Sequence, residues 1–190
     1  MVYKVGKMDF YDIIAQGIGI VAMLFNILSY QQKSSRGVIT MQLFGGALFS
    51  VSYIMLGVYV GGLLNILAAL RGIVYSKREK FKANSRIWIY LFISLFVLSY
   101  ILTFTVFGKP FTVGAAILEV LPVLAMVCVT VSFYVNKAAF IRKMGLISTP
   151  CWLIYNICNF TIGAIICDTV SICSIIVGML RHDIKKKSKS

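Results

Sequence analysis

Near the carboxyl end, the stretch Pro150 to Asp168 (PCWLIYNICNFTIGAIICD) sets Trp152, Tyr155 and an Asn one turn apart, then a tight polar break, then a lone acid entering an apolar run. A carboxylate at that depth in a membrane helix costs roughly 2.5–3.5 kcal/mol on insertion scales. Such a group faces a bundle interior or a watery cavity, where it binds a cation, accepts hydrogen bonds from a polyol, or takes up a proton. The plainer alternative leaves Asp168 at the outer membrane boundary, a few residues from the turn. Arg71, inside another apolar run, either pairs with an anion or snorkels to nearby headgroups. Glu119 either lines the outer mouth of a cavity or reaches interfacial water. Trp152 either stacks on a ring-shaped solute or simply packs. No Ser/His/Asp set, His/Cys cluster, phosphate-cradling glycine loop or helically spaced acid pair is present, so neither catalytic nor metal-binding residues are assigned. Neither an enzyme nor a cofactor is expected.

The elements that must hold these residues are membrane helices. The chain has 190 residues, 59% hydrophobic and 13% charged, with mean hydropathy +0.90. A soluble domain of that size cannot hide so much apolar surface. At about 20 residues each, seven spans use about 140 residues and leave short loops. They are expected at about 13–30, 38–56, 61–75, 87–107, 113–134, 144–159 and 162–180, with Pro122 kinking the fifth. Lys137, Arg142 and Lys143 fall in the link before the sixth, and His182 in a solvated tail. The five cysteines, odd in number and without a C-x-x-C, read as small packed side chains rather than disulfides or metal ligands.

The net charge of +13 is not a nucleic-acid signal once it is located, because it lies between the apolar runs. Seven spans put Lys4, Lys7 and Lys109 on one side, and fifteen of the 19 basic residues on the other, with Arg71 inside a span. The rule that basic loops stay cytoplasmic then places the amino terminus outside and the carboxyl terminus inside. Membrane lipids are the expected partners, and a homo-oligomer is compatible with the sequence.

An offset of 103 aligns residues 20–78 with the second half without a gap, with identities at only nine of 59 positions, such as Ala22/Ala125 and Met41/Met144. The shared layout matters more. Each half has a long span, a basic link, a span, a tight turn, and a span ending in basic residues, and each has one polar residue at the same point, Asn65 and Asp168. One span between the halves makes them parallel repeats. The expected fold is therefore an all-α polytopic membrane protein of 3+1+3 architecture. Its parts are a first triple-helix bundle (1–78), a cytoplasmic loop and linker helix (79–110), a second bundle (111–181) and a basic cytoplasmic tail (182–190).

Trp152-x-x-Tyr155, the short turn and the polar residue thirteen positions beyond Tyr155 resemble the second repeat of SWEET-type transporters of the MtN3/PQ-loop superfamily. In the first repeat Phe49 takes the Trp place, Ser52 the Tyr place and Asn65 the Asn place. Size, topology and the segment SYQQKSSRG also resemble the YgjV-type family of bacterial inner-membrane proteins. The resemblance implies a multi-pass protein of the bacterial inner membrane that moves a polar solute, sugar-like or another small metabolite, by alternating access. Asn65, Asp168, Trp152, Tyr155, Ser52 and Phe49 would form the site. Gln31, Gln32, Pro122, Glu119 and Arg71 would serve gating or coupling. Two departures stand out: Gln31-Gln32 replaces the family's Pro-Gln dipeptide, and Asp168 replaces one of its asparagine pair. The alternative is a non-transporting receptor, sensor or partner subunit of the same fold.

Overall fold

The computed structural model describes residues 10–159 and 161–184. It contains seven long helices: α1 (Phe10–Ser29), α2 (Ser35–Met55), α3 (Tyr59–Ser76), α4 (Ile87–Thr105), α5 (Val113–Val135), α6 (Ala138–Cys158) and α7 (Ile162–Met179). A five-residue π-helical turn, Leu180–Ile184, extends α7. Helices of 18 to 23 residues are about 27–35 Å long, the thickness of a bilayer's hydrocarbon core.

Local signals set the boundaries. Ser34 and Thr112 are extended caps whose hydroxyls accept from the Gly37 and Ala115 amides, starting α2 and α5. Gly57 and Gly108 take the left-handed conformation just beyond α2 and α4, which a side chain would disfavour. Large apolar residues such as Leu24, Phe44, Leu98, Leu124 and Ile176 cover the outside of the bundle, as expected where the surrounding solvent is lipid.

Among the described residues, six helices are long and apolar enough to cross a membrane. The seventh, α6, falls short because it carries Arg142, Lys143, Ser148, Thr149 and Asn156 along its length. It is nonetheless packed between α5 and α7. The chain is thus an all-α polytopic membrane protein. The helices α1, α2, α3, α5, α6 and α7 pack in that order and close back on α1, while α4 lies outside against α3 and α5. Within each run of three, the middle helix touches both neighbours, and α2 meets α6 across the centre.

Polar contacts gather one set of helix ends. Ser35 donates to Asn136 at 2.6 Å, joining the start of α2 to the end of α5. Arg78 donates to the Phe133 and Tyr134 carbonyls. Arg142 donates to the Gln32 carbonyl at 3.1 Å. At the opposite end Lys109 pairs with Glu119 and Tyr59 stacks on Phe107. Apart from Lys109, the described basic loop residues flank the first set of helix ends. Lys4, Lys7 and the tail lysines 185–189 lie outside the described residues.

Several expectations need correction. The sixth helix starts at Ala138 rather than near Met144, so Arg142 is not a link residue. It is 2% exposed and forms a two-point ion pair with Asp183. His182, expected in solvent, contacts the Gln31 carbonyl at 3.1 Å. Of the cysteines, all free, only Cys167 is buried, while Cys158 and Cys173 are exposed on the bundle. In lipid an outward cysteine is as well solvated as an inward one, so apolar sequence alone did not imply burial.

Candidate functional site

All six ring helices contribute to a central cavity of about 110 Å³, measured as space open to the centre of a water molecule. From α1 and the turn that follows it come Asn26 and Tyr30; from α2, Gln42, Phe49 and Tyr53; from α3, Asn65 and Arg71. From α5 come Met126 and Val129; from α6, Thr149, Trp152 and Asn156; from α7, Cys167, Asp168 and Ser171. Amides and hydroxyls dominate, with two aromatic walls, one acid and one base. An apolar bundle tolerates such groups only where they satisfy one another or meet water or a solute.

Most of this lining falls into pairs at the repeat offset: Asn26 with Val129, Gly46 with Thr149, Phe49 with Trp152, Asn65 with Asp168, and Ala68 with Ser171. One such pair touches. Tyr53 donates its hydroxyl to the Asn156 side-chain oxygen at 3.0 Å, and the two are 103 residues apart.

Asn156 is the hub. It is 2% exposed. Its oxygen accepts from Tyr53 and from Thr161 at 2.7 Å. Two hydroxyl donors on the oxygen leave its nitrogen to face Asp168, to which it donates at 2.8 Å. No role for Asn156 follows from the motif that marks its neighbours. The signal that could have found it is the offset itself, which aligns it with Tyr53.

Asn65 lines the cavity, and its amide nitrogen turns back to the Gly61 carbonyl at 2.8 Å. Trp152 and Phe49 line it too, Trp152 edge-on to Tyr155. Tyr155 and Ser52 lie behind this surface. Tyr155 is 2% exposed, and Ser52 donates to the Ala15 carbonyl at 2.8 Å, fastening α2 to α1. Ser52 also borders a smaller cavity of about 20 Å³, room for about one water. Phe49, Tyr53 and Ala164 border both cavities and divide them.

Arg71 does not snorkel. It is 4% exposed, donates to the Met126 carbonyl at 2.9 Å and to the Thr130 hydroxyl at 3.0 Å, and covers the Phe133 ring at 4.9 Å. These contacts draw it inward toward α5. Glu119 does not reach water either: it is 2% exposed and paired with Lys109, away from the central lining. Pro122 is buried within α5. Gln31 donates to the Ser174 carbonyl and hydroxyl, each at 2.9 Å, and Gln32 offers its carbonyl to Arg142. Both glutamines thus stand where α1, α6 and α7 converge. Among the described residues no group of three or more His, Cys, Asp or Glu side chains is placed to hold a metal ion.

Comparison with known proteins places residues 13–186 on a family model described as bacterial inner membrane protein, Imp-YgjV. The inner membrane protein YgjV of Escherichia coli (strain K12) is 26% identical over 151 residues, covering 79% of this chain and 74% of that protein. No solved structure matches.

Proposed function

The chain belongs to the YgjV family of bacterial inner-membrane proteins, and we propose that it is a small carrier or facilitator for a polar solute. The observation that carries this reading is the central cavity, built from repeat-related residues and crossed by the Tyr53–Asn156 contact. A site between two equivalent halves is the arrangement from which rocking of one half against the other opens the solute alternately to each side. In this reading α1–α3 and α5–α7 are parallel triple-helix bundles joined by α4. The basic ends face the cytoplasm.

Asn65, Asp168, Phe49 and Trp152 contact the solute, and Tyr155 and Ser52 brace Trp152 and α2 behind them. Two constrictions flank the cavity. Phe49, Tyr53 and Ala164 close one side. At the other, Arg142, Asp183, Gln31 and Gln32 tie α1, α6 and α7 together. The likeness to SWEET-type transporters rests on Trp152, Tyr155 and the Asn65/Asp168 pair, and supports this arrangement.

The test is solute uptake by proteoliposomes that carry the full chain, against a panel of sugars, polyols and amino acids. Wild-type protein is expected to transport at least one class, and Asn65→Ala and Asp168→Ala each to reduce that uptake at least tenfold. Uptake unchanged in both variants would remove these residues from the site.

A further inference from the structure

We propose that the central cavity receives a small zwitterion, its ammonium against Asp168 and its carboxylate toward Arg71. This rests on the carrier reading and narrows its solute.

The chain pairs its buried charges elsewhere. Three charged side chains among the described residues are almost fully buried: Arg71, Glu119 and Arg142. Glu119 has Lys109 and Arg142 has Asp183. Among the described residues Arg71 has no carboxylate within 4.0 Å; its partners there are a carbonyl, a hydroxyl and an aromatic face, and its Nε has none. Asp168 likewise has no cation within 4.0 Å among the described residues and accepts from the neutral Asn156 amide. These two opposite charges line one cavity without meeting.

The fold keeps them apart. Met126 and Thr130 hold the guanidinium toward α5, and Asn156 holds the carboxylate toward α6. Removing one partner from a buried ion pair is strongly unfavourable, and two unpaired charges in a membrane interior stand in that condition permanently. An uncharged polyol supplies hydrogen bonds but compensates neither charge. A simple cation or anion compensates one. A zwitterion compensates both and brings no net charge into the bilayer.

The repeat supports a solute with two unlike ends. At the offset of 103, Asp168 corresponds to Asn65 and Arg71 to Ser174. Each charge is thus present in only one half, the acid on α7 and the base on α3. Phe49 and Trp152 line the same space, and aromatic faces attract an ammonium. By the same measure one water needs about 10–15 Å³, so a cavity of about 110 Å³ has room for a small amino acid.

The experiment is thermal unfolding of the purified full chain in detergent with glycine, β-alanine or 4-aminobutyrate, and separately with propylammonium, propionate or glucose. At least one amino acid is expected to raise the midpoint, rising with the logarithm of its concentration above Kd and reaching about 5 °C or more at a hundred times its Kd. Propylammonium and propionate at equal concentration should give smaller rises, and glucose none. Asp168→Asn, which places in α7 the residue already present at position 65, should melt near the wild type yet lose the amino-acid response. Arg71→Lys should retain it and Arg71→Gln lose it; if Arg71→Gln does not fold, the Asp168→Asn result decides. An undiminished response in Asp168→Asn overturns the proposal, as does the absence of any amino-acid response. Proteoliposomes that take up glucose without any amino-acid response overturn the zwitterion and leave the carrier reading standing. Saturable amino-acid binding without uptake of any solute would support the zwitterion and overturn the carrier.

Discussion

Replacing Asn156 with leucine keeps the side chain's shape and removes its polarity, which isolates the hub of the cavity. Three side-chain hydrogen bonds disappear: to Asp168, from Tyr53 and from Thr161. A bond to a charged group contributes about 1.5–3 kcal/mol and a neutral one about 1 kcal/mol. Thr161 keeps a fallback, since its hydroxyl also reaches the Asn156 backbone carbonyl at 3.3 Å. Asp168 borders the cavity, where water recovers part of its loss. The expected destabilisation is therefore about 3 kcal/mol, or roughly 6–12 °C in melting midpoint for a chain of this size. Denaturation in detergent, with Tyr53→Phe and the double variant completing the cycle, should give a coupling of about 1 kcal/mol between the two positions. Asn159→Leu serves as the control, because that amide reaches only the Tyr155 carbonyl of its own helix, and it should cost about 1 kcal/mol or less. An Asn156→Leu protein within about 0.5 kcal/mol of wild type, or an additive cycle, would refute the hub.

Asp183→Ala leaves the Arg142 guanidinium, 2% exposed, with only the Gln32 carbonyl. Because Asp183 itself is 15% exposed, the loss should be about 2 kcal/mol, below the fully buried range. Arg142→Met combined with Asp183→Ala should recover most of that stability, and a double variant no more stable than Asp183→Ala would contradict the pairing. Gly178→Ala would place a Cβ 2.5 Å from the Tyr30 carbonyl oxygen. Backbone cannot yield as a flexible side chain does, so α7 must move from α1 at a cost of about 1–3 kcal/mol. A melting curve superimposable on wild type would argue against that close approach. Lys109→Met should be less stable than Lys109→Met with Glu119→Gln, because the single change strands a buried carboxylate. The order of their melting midpoints checks it.

Much of the architecture was legible from hydropathy and charge placement alone. Lipid cannot hydrogen-bond a backbone, so a long apolar run must be a helix. That constraint put most helix ends within a few residues of their observed places. It also assigned the loop charges to two ends. The start of α6 was missed because Arg142 and Lys143 look like loop charges. Asp183, forty-one residues away, and the Gln32 carbonyl make buried Arg142 tolerable inside a helix.

The Pro150–Asp168 stretch shows where sequence stops. It announced Trp152, Tyr155 and Asp168, and the offset of 103 matched Asp168 to Asn65. It gave no role to Asn156, which orients the acid, and it could not place Tyr155 behind the lining rather than in it. In a soluble helix a polar face marks the outside and an apolar face the core. In a membrane helix both faces are apolar, and that periodic signal fades. Helix number, helix ends and the repeat offset follow from the order of residues along the chain. Which side chains meet across the bundle depends on how each helix is rotated. Packing among the six ring helices decided that rotation.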